Sequence, residues 1–101
     1  MEGALEVGVD PVRLVDVCRR YHVRRLSVFG SATRGEMRPE SDVDLLVEFL
    51  PDAEIGLIAY AGLMLALSEL FGRKVDLVSM PALRPQLREA ILEEARLLYA
   101  A

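Results

Sequence analysis

The run SDVDLLVEF, Ser41 to Phe49, constrains the fold more than any other part of the chain. Val43, Leu45 and Val47 alternate with Asp42, Asp44 and Leu46, the two-residue period of a strand whose successive side chains point to opposite faces. One face can pack on helices, while the other opens with two aspartates. Carboxylates leading into an apolar strand are costly unless something cationic compensates them, and two on one face also repel each other. The segment therefore calls for a sheet with one dry face and one face that offers its acids to a cation.

The flanking sequence supplies the helices. Asp10-Pro11 reads as an N-cap followed by proline in the first helical position, and VRLVDVCRRYH sets Leu14, Val15, Cys18 and Tyr21 on one helical face. RRLSVFG is a strand stopped by Gly30, and GSATRGEMRPE is rich in turn formers. AEIGLIAYAGLMLALSELFG is a long helix, apolar on nearly every side and closed by Gly72 in a C-cap role. RKVDLVS is a third alternating strand. PQLREAILEEARLLY predicts a final amphipathic helix, with Leu87, Ala90, Ile91, Ala95 and Leu98 inward. The order α-β-β-α-β-α implies an α/β (α+β) fold, a small mixed sheet packed against helices.

Composition sets outer bounds. A length of 101 residues suits one domain, 1–101, and 52% hydrophobic content supports a real core. The net charge of −4, without a basic block, argues against a nucleic-acid surface as the main business. Every cation except Lys74 is arginine. A single cysteine, Cys18, excludes an internal disulfide and any multi-cysteine metal site, and its place on the apolar stripe of the first helix fits a small buried hydrophobe. His22, the only histidine, ends that helix and reads as a capping or packing residue. The N-terminus lacks a secretory pattern, and Ile55–Leu67 is too short to span a bilayer. The expectation is a cytoplasmic protein without membrane attachment.

The chemistry is carried by acids and a turn. Mg²⁺ prefers oxygen ligands and keeps positions open for water and substrate phosphates, so Asp42 and Asp44 on one strand face are candidate metal ligands. A two-metal phosphoryl- or nucleotidyl-transfer site needs a further carboxylate. Asp76 interrupts the third strand as Asp42 and Asp44 interrupt the second, so neighbouring strands would bring the three to one end of the sheet. Upstream, Gly30 permits close backbone approach to a ligand, Ser31 adds a hydroxyl, and the amides that follow form an anion nest for a triphosphate. Arg34 is placed to reach a phosphate or pair with a carboxylate. Alone, a Gly-Ser pair is a common turn, an Asp-x-Asp pair marks caps and loops, Arg34 reads as a solvated arginine, and Asp76 as an edge-strand charge. The signal is in their order and spacing.

Gly30-Ser31, Arg34-Gly35 and Ser41-Asp42-x-Asp44-Leu45-Leu46-Val47 together resemble the signature of the minimal nucleotidyltransferases, within the DNA polymerase beta-like nucleotidyltransferase superfamily. The resemblance implies a Gly-Ser turn that holds the β/γ-phosphates of ATP, Asp42 and Asp44 on two Mg²⁺ ions, and Asp76 completing the catalytic metal site and helping to deprotonate the attacking hydroxyl. Many relatives carry a large or basic residue and then alanine after Gly-Ser, where this chain has Ala32 and Thr33.

Larger members of that family add a domain for the acceptor, so the resemblance also implies that the acceptor surface comes from a partner or a second copy. Family proteins of this size resemble the antitoxin half of a pair with a HEPN-type toxin, and the resemblance then implies transfer of AMP to a tyrosine of that toxin. The apolar helix fits such a partner and fits equally a helix sandwiched in its own core. Two alternatives stay open: a binding module that neutralises its partner by contact through an idle site, and transfer to a small molecule such as an aminoglycoside.

Overall fold

The computed structural model describes residues 9–30 and 42–101. Helix α1, Pro11–Arg20, begins where Asp10 Oδ1 accepts the Val12 amide proton at 3.0 Å. Strand β1, Val23–Phe29, follows, and β2 is Val43–Phe49. Helix α2 is Leu57–Phe71 and β3 is Val75–Ser79. A short 3-10 turn, Met80–Ala82, leads to helix α3, Pro85–Glu94, and strand β4, Arg96–Ala100. The sheet order is β3-β2-β1-β4, with β2 and β3 parallel and the other pairs antiparallel.

One sheet face meets α1 and α2. Leu26 and Val28 of β1, Val43, Leu45 and Val47 of β2, and Val75 and Leu77 of β3 join Leu14, Cys18, Leu63, Leu67 and Phe71 in a single core cluster. The alternation expected of β2 is obeyed, and the first acid, Asp42, stands one residue before the strand. Cys18 is fully buried, and burial pushes its thiol up to about 12. It is a packing residue.

The end of α2 fixes the start of β3. Gly72 takes the left-handed conformation (φ 72°) that closes a helix, and its amide and that of Arg73 donate to the Ser68 carbonyl. The Ser68 hydroxyl donates to the Met64 carbonyl at 2.8 Å and accepts the Val75 amide proton at 3.1 Å. Lys74 then accepts from the Val43 amide at 2.9 Å, which sets β3 beside β2.

Two expectations need correction. The final helix does not run from 85 to 99: it stops at Glu94, Ala95 is extended (ψ 142°), and residues 96–100 form a fourth strand along β1. Without that strand β1 would be an edge, and its unpaired backbone groups compete successfully for a segment whose helix propensity is good. The predicted inner stripe also disperses. No residue of α3 is buried, Leu87 is exposed, and Leu98 packs on the core from the strand. As for α2, its outer side carries exposed apolar residues among the described residues. Leu57, Ile58 and Leu65 are 84%, 89% and 65% exposed.

Candidate functional site

The parallel pairing of β2 with β3 positions the acids. Asp44 lies directly across from Asp76, in a register that also pairs Val43 with Val75 and Leu45 with Leu77. Since Leu45 and Leu77 point into the core, Asp44 and Asp76 point together to the opposite face, on strands about 4.8 Å apart. Asp44 is half-buried, whereas Asp42 and Asp76 are exposed. Among the described residues no group of three His, Cys, Asp or Glu side chains lies close enough to hold a metal ion. The register therefore provides a pair of carboxylates, with Asp42 at the mouth of the strand.

The glycine is where the sequence places it. Phe29 pairs with Asp44 across β1 and β2, so Gly30 sits at the acid end of the sheet. Its φ of 77° is a left-handed value that other residues rarely adopt, and a Cβ there would collide with Asp44 Oδ2. Only glycine lets the backbone pass this close to the carboxylate. Ser31 and Arg34 lie outside the described residues.

His22 is at the far end of the same sheet, next to the Val23–Phe49 pair, in a turn with φ 59°. Its carbonyl accepts the Leu50 amide proton at 2.9 Å. It plays a turn role and stands away from the acids.

Two contacts escaped sequence reasoning. Tyr60 of α2 donates its hydroxyl to the Leu77 carbonyl at 2.7 Å, and burial together with the charge of Asp76 holds its pKa above the ordinary tyrosine value. Glu94, the last residue of α3, accepts the Gly30 amide proton at 2.8 Å across 64 residues. No local pattern announces either contact, since both depend on where distant elements dock. Beside the acids, Arg25, Ser27, Leu46, Glu48, Leu92 and Leu97 line a cavity of about 220 Å³ on the same sheet face.

A mixed sheet with one helix-covered face and paired aspartates on the other, next to a left-handed glycine, has the layout of a nucleotidyltransferase. Comparison with known proteins supports that class. Residues 13–98 match the nucleotidyltransferase domain family. The chain is 41% identical over 76 residues to the protein adenylyltransferase MntA of Thermococcus cleftensis, covering 74% of each. It is 34% identical over 83 residues to a Methanocaldococcus jannaschii protein assigned as a protein adenylyltransferase, covering 82% of this chain and 87% of that one. A solved structure assigned to the minimal nucleotidyltransferases superposes with a TM-score of 0.72 at 44% identity, covering 85% and 86% of the two chains. A solved complex of tri-AMPylated HEPN toxin from Shewanella oneidensis with its MNT antitoxin shares the fold, with a TM-score of 0.63 at 18% identity over 90% of this chain and 70% of that one.

The chain belongs to the nucleotidyltransferase domain family and stands among its minimal, protein-adenylyltransferase members. The expected family and fold class are thereby borne out.

Proposed function

We propose that this chain transfers AMP from ATP to a tyrosine hydroxyl of a HEPN-type toxin and so silences it. The observation that carries the proposal is the Asp44–Asp76 register pair on the face away from the core, with Gly30 against Asp44. In the reaction the tyrosine oxygen bonds to the α-phosphorus of ATP and the α–β bridging bond breaks. Pyrophosphate leaves with the electron pair, and the hydroxyl proton passes to the Asp76 carboxylate.

The residues present suit Mg²⁺. It is commonly held by one or two carboxylates together with substrate phosphates, and Asp44 and Asp76 provide two, with Asp42 one residue ahead of β2. When bound there, Mg²⁺ supplies charge to offset the negative charge developing on the phosphates. Asp44 and Asp76 are assigned as its ligands, with Asp42 as the third acid that the ion would draw in from the mouth of β2, and Gly30, Ser31 and Arg34 as nucleotide-binding residues. The whole chain acts as a single minimal domain, and the acceptor tyrosine arrives on the partner.

A second reading rests on the exposed Leu57, Ile58 and Leu65 of α2. An apolar stripe of that kind gives a toxin something to cover, and contact alone could neutralise it. Asp44→Asn separates the readings, because it preserves side-chain shape while removing the charge. In cells that express the toxin, the variant should fail to protect. Protection equal to wild type would mean that contact suffices.

A further inference from the structure

Glu94 reaches from the C-terminal helix to the acid end of the sheet through a hydrogen bond, and its position is unfavourable for the helix itself. It is the last residue of α3, where the negative end of the helix dipole disfavours a carboxylate. Its Oε1 accepts the Gly30 amide proton at 2.8 Å, in a half-buried bond that joins α3 to the end of β1. A bond between an ionised acceptor and a backbone amide is among the stronger ones, and it offsets the poor helix position.

The glycine it holds sits at a decisive place. Gly30 has φ 77°, and its Cα lies so close to Asp44 that a Cβ would meet Oδ2 and come within 3.2 Å of Cγ. The bond fixes the Phe29–Gly30 peptide plane at the end of β1, where φ is already confined. The same constraint limits the space in which the Asp44 carboxylate can turn. Glu94 thus acts at the acid end through the Gly30 backbone, beside which the Asp44 carboxylate lies. α3 has no buried residue, so packing alone does not explain why its last turn is held at this point.

We infer that Glu94 is a positioning residue of the nucleotidyltransferase site: through the Gly30 amide it holds the nucleotide-binding glycine at the end of β1, against the Asp44 carboxylate. This inference rests on the proposed adenylyl transfer for its kinetic part, but not for its structural part.

The test uses the full chain and two variants. Glu94→Gln keeps an Oε1 acceptor in the same place, whereas Glu94→Ala removes it. Amide hydrogen exchange at Gly30, followed by NMR in the protein without nucleotide, reads the anchor directly and needs no activity. The Glu94→Ala variant should exchange at Gly30 about tenfold faster or more, the worth of one charge-assisted hydrogen bond, while Glu94→Gln stays within about threefold of wild type. In adenylyl transfer, KM for ATP should rise about tenfold in Glu94→Ala with kcat within about threefold, and Glu94→Gln should restore it.

Unchanged Gly30 exchange in a folded Glu94→Ala protein would overturn the inference. So would a lower KM in both variants, which would make Glu94 a negative charge competing with phosphate. Absence of transfer by wild type would count against the adenylyl-transfer reading, and the Gly30 exchange would still decide the role of Glu94.

Discussion

The two faces of one sheet answer to different physics. On the helix side, Leu26, Val28, Leu45, Val47 and Leu77 are buried against α1 and α2, and sequence alternation alone determines them. On the other side, the same strands present Asp44, Asp76, Arg25 and Glu48, and pairing across strands decides which of these meet. The covered face makes the fold stable, and the acid face places charge where a stability argument would leave it out. β2 serves both through its two-residue period, so a one-residue slip would exchange core for acids.

Substitutions on the two faces should therefore separate stability from chemistry. The largest effect is expected from Asp44→Asn, which should lower adenylyl transfer about a thousandfold, roughly 4 kcal/mol in the transition state, while shifting unfolding free energy by less than about 1 kcal/mol. Steady-state transfer and urea denaturation measure the two halves. A large loss of stability would break the division between the faces. On the covered face, Leu45→Ala should cost about 2–5 kcal/mol in urea denaturation, from lost burial and the cavity left behind.

Ligand linkage sharpens the contrast. Mg²⁺ with a non-hydrolysable ATP analogue at a hundredfold excess over Kd should stabilise wild type by about 2.7 kcal/mol. Asp44→Asn should lose most of that gain, whereas Leu45→Ala should keep it, and thermal melting distinguishes them. The smallest effect belongs to the joint between α2 and β3. Ser68→Ala removes the hydroxyl that accepts the Val75 amide proton, and should cost about 1 kcal/mol of stability, with transfer reduced less than about threefold.

Much of this was legible in the residues. Asp10-Pro11 announced α1, Gly72 announced the end of α2, and the spacing of Val43, Leu45 and Val47 announced the buried face of β2. These are local signals, set by neighbours in sequence. The fourth strand was not legible, because Arg96–Ala100 is strand only by virtue of the β1 edge it pairs with. Its amphipathic spacing suited a helix just as well. The candidate site divides in the same way. Asp44 and Asp76 could be named as interruptions of apolar strands, but their direct pairing depended on β2 and β3 being parallel neighbours. Glu94 gave no sign at all, since its bond to Gly30 spans 64 residues. The exposure of Leu57, Ile58 and Leu65 was likewise hidden from periodicity, which fits a buried and a partly exposed helix equally well.

The central claim is that the paired aspartates direct attack on the α-phosphorus of ATP. The direct measurement compares ATP labelled at the α-phosphate with ATP labelled at the γ-phosphate, in the presence of Mg²⁺ and a folded HEPN-type toxin. The account predicts covalent label on the toxin from the α-position only, and none from either in Asp44→Asn or Asp76→Asn. Label arriving from the γ-position, or α-label undiminished in both variants, would contradict it.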